Sequence, residues 1–161
     1  MNYKSLIIVV LTGFFLWECS TPLPEVREIK KTESSVYKND MKINSKRIYV
    51  WVNKMPGVGS KPRLHATGEL DFFEDTHYNL KNIEIKKVSI LQNNEIIYMF
   101  SPSTEVKFEK NKKVILFSTV KGLLLSSQLD TKKKITLKIL LSDGEEEINF
   151  FISDVEIHEV F

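Results

Sequence analysis

Apolar and polar residues alternate in short runs through most of the chain after residue 46, and turn residues separate the runs. Such alternation is typical of β-strands with one buried face. Residues 122–129 fit either a short helix or a strand. No segment of this region has the sustained period of a long amphipathic helix, so the pattern predicts an all-β domain. Apart from two hairpins, the candidate strands are residues 47–53, 65–73, 105–108, 114–120 and 155–160.

The clearest hairpin signal lies in residues 135–153, where Asp143-Gly144 separates two alternating runs. Asp-Gly favours a two-residue turn, because both central positions of that turn need a positive φ. The flanking runs then bring apolar residues together on one face. The predicted pairs are Ile139 with Ile148, Leu137 with Phe150, and Ile135 with Ile152.

A second hairpin is predicted around Asn93-Asn94, because asparagine tolerates a positive φ. Its expected pairs are Ile90 with Ile97 and Val88 with Met99. The apolar residues change from odd to even numbers within the first arm, and one face of a continuous strand cannot hold both sets. We therefore expect a bulge near Lys86-Lys87.

The domain organisation follows from a change in composition. Residues 20–46 carry two prolines, many charges and no apolar period, so we interpret residues 19–46 as a flexible linker. Residues 47–161, roughly 115 residues, suffice for one domain with one core. Many short strands separated by turns predict an immunoglobulin-like antiparallel β-sandwich, with an open β-barrel as the alternative.

Two aromatic residues, Tyr49 and Trp51, alternate with Val50 and Val52 in the first candidate strand. One pair should face the core and the other should be partly exposed. We expect the aromatic pair in the core, because buried aromatic side chains dominate the packing of small domains. The alternative is an exposed aromatic pair, which would suit recognition of a partner or a glycan.

The first residues indicate export. Lys4 precedes an uncharged run from Leu6 to Trp17, which is shorter than the ~20 residues of a membrane-spanning helix. This arrangement predicts a secretory signal peptide over residues 1–18. The only cysteine of the chain, Cys19, follows directly.

Leu16-Trp17-Glu18-Cys19 resembles the lipobox of bacterial lipoproteins, although Trp17 and Glu18 replace the small residues usual in that motif. The resemblance is confined to residues 1–19. It implies that a signal peptidase cleaves before Cys19 and that the Cys19 sulfur carries a diacylglycerol in the bilayer. The protein would then lie in the bacterial cell envelope, and Ser20 resembles the residue of lipoproteins sorted to the outer membrane.

Other binding chemistry is weakly indicated. The formal net charge of +2 predicts no nucleic-acid partner. The loop of residues 55–65 lacks the spacing of a phosphate-binding loop, yet it carries Lys61, Arg63 and His65 and is the candidate binding rim. Metal binding by His65 and His77 with a methionine is an alternative, since histidine and methionine bind soft metals.

No sequence motif of a hydrolase stands at a suitable strand-to-helix turn or helix start. We therefore expect no catalytic residues, no cofactor and no enzymatic activity. The expected function is a lipid-anchored, non-enzymatic binding or structural module whose partner is another envelope protein. A periplasmic metal-handling protein is the alternative, and a hydrolase has the least support.

Overall fold

The computed structural model describes residues 35–38, 41–55, 61–73 and 79–161. Within these residues the backbone forms eleven strands and a single 3₁₀ turn, Leu80–Asn82, and no helix there is long and apolar enough to cross a membrane. The predicted all-β class is confirmed. The strands are β1 (Ser35–Lys38), β2 (Met41–Asn53), β3 (Arg63–Phe73), β4 (Glu84–Gln92), β5 (Glu95–Phe100), β6 (Ser103–Glu109), β7 (Lys112–Ser118), β8 (Leu123–Leu124), β9 (Ile135–Ser142), β10 (Glu147–Val155) and β11 (Ile157–Val160).

Two sheets pack face to face as a sandwich. The large sheet has the order β1-β2-β3-β7-β6, with β11 beside β2 and β8 beside β3. The small sheet has the order β10-β9-β4-β5. The strands pair antiparallel except for β11, which runs parallel to β2. The architecture is thus the predicted two-sheet sandwich with one parallel pair added at an edge.

The core lies between the sheets and draws on the inward face of each. Val50, Leu64 and Phe72 from the large sheet are fully buried, as are Ile90 and Leu137 from the small sheet. These residues belong to one contiguous apolar cluster. Alternation along each strand leaves the remaining side chains on the two outer faces.

The folded domain begins before residue 47, so the interpretation of residues 19–46 as a linker is wrong for their last part. Strand β1 pairs with the start of β2, and residues 43–46 pair with β3. Ile43 is buried, with 1% of its surface exposed. Sequence pattern missed this segment because one buried apolar side chain creates no period, whereas backbone pairing with β3 needs none.

The carboxyl-terminal hairpin forms with a register two residues away from the predicted one. Ile139 pairs with Phe150 and Leu137 pairs with Ile152. The connection has four residues, because the Asp143 carboxylate accepts the N–H groups of Glu145 and Glu146 at 2.9 and 2.8 Å. A shift of two preserves the side-chain alternation, so the predicted residues still face the core.

The Asn93-Asn94 turn is confirmed, with φ values of 53° and 67°. Gln92 pairs with Glu95, but a bulge then shifts the register, so that Ile90 meets Tyr98 and Val88 meets Phe100. The predicted bulge near Lys86-Lys87 is confirmed by the register shift between Ile85 and Lys87.

Candidate functional site: a row of rings on the large sheet

The outer face of the large sheet carries four ring side chains in a row, which we call the ring row: His158, Tyr49, Trp51 and His65. They come from β11, β2 and β3. Val50 and Val52 are completely buried, so Tyr49 and Trp51 project outward. The expectation that the aromatic pair would enter the core is therefore wrong, because the valines lie against the small sheet.

The rings stack on their neighbours. The centroid distances are 4.9 Å between His158 and Tyr49, 5.1 Å between Tyr49 and Trp51, and 5.0 Å between Trp51 and His65. The planes of these pairs differ by 23°, 27° and 14°. Offset stacking of this kind stabilises a pair of aromatic rings by about 0.5–1.5 kcal/mol beyond burial of area. The row thus ties three strands together across the outer face.

His65 ends the row against Gly122. Gly122 has a φ of +69°, and a Cβ built on it would lie 2.6 Å from Cε1 and Nε2 of His65. Burial and, secondly, the positive charge of Arg63 lower the pKa of His65 below 6.5. The imidazole is therefore neutral near pH 7 and stacks as an uncharged ring.

The Arg63 side chain is fixed by two hydrogen bonds to backbone carbonyl oxygens. Its Nη1 donates to the carbonyl oxygens of Gly122 at 3.1 Å and Lys121 at 3.4 Å. Arg63 and His65 both lie on β3 and not in the preceding loop, whereas Lys61 is exposed just before the strand, and a binding rim formed by these residues stays a prediction. Residues 56–60 of the candidate rim lie outside the described residues.

His158 reaches the row because β11 lies parallel beside β2. The Lys54 backbone N–H donates to the Val160 carbonyl at 2.8 Å, and the Lys54 ammonium lies 2.7 Å from the Glu159 carboxylate. The hydrogen bonds from Lys54 and then Thr131 lower the pKa of Glu159. Sequence reasoning missed His158, since no local pattern shows that the last strand joins the first sheet.

The chemistry that the row offers follows from its stacking. Each inner ring, Tyr49 and Trp51, stacks with two neighbours, and its polar groups lie on its edge. These edges carry the Tyr49 hydroxyl, the Trp51 indole N–H and imidazole nitrogens. Such groups suit a partner that presents carbonyl or carboxylate acceptors.

An ion-pair cluster lies on the same face of the large sheet, towards the other end of β3. The Asp71 side chain is fully buried, and its Oδ2 accepts from the ammonium groups of Lys46 at 2.6 Å and Lys112 at 3.2 Å. Its Oδ1 and the Oδ1 of Asn44, the cross-strand neighbour, have no hydrogen-bond partner. Two lysines already compensate the charge of this carboxylate, and loss of either one would leave a buried charge less well paired.

The metal hypothesis is only partly covered by the structure. His65 is stacked on Trp51, and His77 lies outside the described residues. In the part of the chain that is described, no three side chains of His, Cys, Asp or Glu gather into a metal-binding group. Cys19 and the signal segment also lie outside that part.

In comparisons with known proteins, no family model, no curated protein and no solved structure matches this chain.

Proposed function

We propose that this chain is a lipid-anchored protein of the bacterial cell envelope whose β-sandwich is a non-enzymatic binding module. The single observation that carries the binding role is the ring row on the outer face of the large sheet. Tyr49 and Trp51 are partly exposed there although their burial would stabilise the core. Large aromatic side chains at a surface are the residues that most often dominate protein–protein contacts.

The partner that fits the ring row is another protein. Hydrogen-bond donors at the ring edges meet backbone carbonyl oxygens or carboxylates, and the hydrophobic rings exclude water from those bonds. His158 is exposed at one end of the row, whereas His65 is covered by Gly122 at the other. We therefore place the centre of the contact at Tyr49 and Trp51, with His158 on its rim.

The binding role is tested by comparing W51A with F151A. Phe151 is 47% exposed on the outer face of the small sheet, so it is a matched aromatic control away from the row. Envelope proteins solubilised in detergent are incubated with each immobilised variant, and the recovered proteins are identified by mass spectrometry. A partner of the ring row binds wild type and F151A alike, but binds W51A at least about tenfold more weakly, as truncation of a central aromatic anchor predicts.

Thermal unfolding of each variant shows whether W51A remains folded at the assay temperature. If folded W51A retained every interaction of the wild type, the ring row would not be the binding surface. The H158A variant gives a graded check, because a rim residue should weaken the same interaction less than Trp51 does.

The anchor is tested separately. Intact bacteria expressing the chain are labelled with radioactive palmitate, and the wild type is compared with Cys19→Ala. Incorporation that disappears in C19A supports lipidation of the Cys19 sulfur. A mature protein with an intact Met1 and a free thiol would contradict both the lipid anchor and the envelope location.

A further inference from the structure

The sheet edges differ in how they prevent pairing with other strands. Among the described strands, β5 carries a register shift, and β10 carries another beside Asp154, whose φ is 59°. One edge of the large sheet is divided between β1 and β11, which have four residues each. Short strands and bulges of this kind protect natural edges from association.

Strand β6 is neither short nor bulged. Its seven residues pair with β7 without a register shift, and all seven are exposed. It contains no proline. A regular exposed edge presents unpaired N–H and C=O groups to any second strand.

The inward face of β6 is apolar, and it is exposed in the part of the chain that the structure describes. Thr104, Val106 and Phe108 lie on the core side, because they pair with Phe117, Ile115 and Lys113 of β7. Val106 is nevertheless 45% exposed and Phe108 62% exposed. Charged residues that point inward would discourage association, but no inward position of β6 is charged.

We propose that β6 is a dimerisation edge, which pairs antiparallel with β6 of a second copy about a two-fold axis through Val106. In this register Glu105 of each copy faces Lys107 of the other, on the outer face. Thr104 faces Phe108 on the inner face, where the two Val106 side chains also meet.

Charge selects this register. Moving the two-fold axis by one residue places Glu105 opposite itself or Lys107 opposite itself, and like charges directly opposite destabilise a strand pair. The register centred on Val106 also pairs all seven residues of β6, whereas either shift of the axis leaves residues unpaired at both ends. In this register a second copy of the chain completes the backbone hydrogen bonds of β6 and places opposite charges across the pair.

Charge reversal tests the proposal. The full chain is extracted in detergent, and its dimer dissociation constant is measured by sedimentation equilibrium. E105K and K107E should each weaken the dimer at least tenfold, because each places like charges opposite one another. The double variant E105K/K107E should restore the wild-type constant, since it exchanges the two charges.

Thiol cross-linking tests the register independently. With dibromobimane, V106C should cross-link to itself, because the two-fold axis passes through that position. T104C should not cross-link to itself, but should do so when it is co-expressed with F108C. The parent chain, which retains Cys19, measures the background reaction.

A monomer at all concentrations would overturn the proposal, and so would a dimer indifferent to both single charge reversals. Efficient self-cross-linking of T104C would show a different register. W51A should leave dimerisation unchanged, because the ring row lies on other strands. Failure of the dimer and failure of the binding role are therefore separate results.

Discussion

His65 lies between an aromatic ring and a backbone. Trp51 stacks on the imidazole, and Gly122 approaches its edge so closely that no other residue fits there without movement. Burial penalises the charged imidazolium, and Arg63 adds a repulsive positive charge. Burial and the charge of Arg63 thus both favour the neutral imidazole at the end of the ring row.

We predict that the pKa of His65, measured from its Hε1 shift by NMR, lies below the ordinary value of 6.5. R63Q should move this pKa upward, because it removes the second cause of the shift, while burial keeps it below 6.5. A pKa above 6.5 in the wild type would contradict the partly buried, stacked position.

The same shift links stability to pH. The folded-state pKa lies below the unfolded value, so the unfolded chain binds more protons between the two. The contribution of His65 to stability is complete above about pH 6.5 and decreases as pH falls from there towards the folded pKa. H65F, which keeps a ring but cannot titrate, should show a smaller loss of stability over this range.

Two glycines provide a matched test of the contact with His65. Gly122 and Gly144 both have a positive φ, of +69° and +98°. A Cβ at Gly144 would meet nothing closer than 3.9 Å, whereas one at Gly122 would lie 2.6 Å from the His65 ring. Both alanine variants carry backbone strain of about 1–3 kcal/mol, but only G122A should also shift the Trp51 and His65 resonances. Equal spectra for the two variants would contradict the close approach.

At the scale of elements, β2 contains a bulge that changes which of its residues face the core. Arg47 has a φ of 50°, and the register with β3 shifts between Lys46 and Tyr49. Even-numbered residues face the core after the bulge, whereas odd-numbered residues do so before it, as Ile43 shows. Gly68 of β3 lies beneath the bulge, where a Cβ would meet Ile48 and Phe117 within 2.6 Å. Because of the bulge, β2 presents buried side chains to the core both before and after Arg47.

Ile43 tests whether this early part of β2 belongs to the folded core. I43A should lower the free energy of unfolding by about 2–5 kcal/mol, as measured by urea denaturation, because the side chain is buried. I96A is the control, because Ile96 is 49% exposed on β5, and its effect should stay within about 0.5 kcal/mol. Equal small effects would mean that residues 41–46 do not belong to the core.

The two hairpins show which features of a strand pair can be predicted from neighbouring residues in the sequence. Asn93 and Asn94 could be identified from the sequence, because a tight turn needs residues that tolerate positive φ. The bulge that follows, and the four-residue loop after Ser142, depend on side-chain hydrogen bonds and on the neighbouring strands. Turn position was therefore predictable, whereas register was not. The predicted faces hold in the carboxyl-terminal hairpin, but β5 is shifted by one residue, so that Met99 is exposed and Tyr98 and Phe100 take the core side.

At the scale of the whole molecule, one apolar cluster joins the two sheets. The Lys113 ammonium adds a polar link, since it donates to the carbonyls of Lys81 at 3.0 Å and Ile83 at 2.5 Å. Burial lowers the pKa of Lys113, although the carboxylate of Glu84 opposes this effect. A shared core of this kind should unfold as one cooperative unit.

We predict that a destabilising substitution in the core of the small sheet lowers the stability of the large sheet by the same amount. L137A should lower the unfolding free energy by about 2–5 kcal/mol, with the same midpoint by far-ultraviolet circular dichroism and by Trp51 fluorescence. The measurement uses the mature chain, in which the proposed removal of residues 1–18 leaves Trp51 as the only tryptophan. F151A, at an exposed site of the same sheet, serves as the control. Different midpoints by the two probes would show that the sheets unfold separately.

Sequence alone determined that residues beyond 46 form a two-sheet β-sandwich, where its two hairpin turns lie and where β4 carries a bulge. These features depend on alternation and on turn residues, which are local in the chain. Only the tertiary structure decided that β1 and early β2 belong to the domain, that Tyr49 and Trp51 face outward, and that His158 joins them. Such facts depend on which distant strands become neighbours, because the buried face of a strand is chosen by what packs against it.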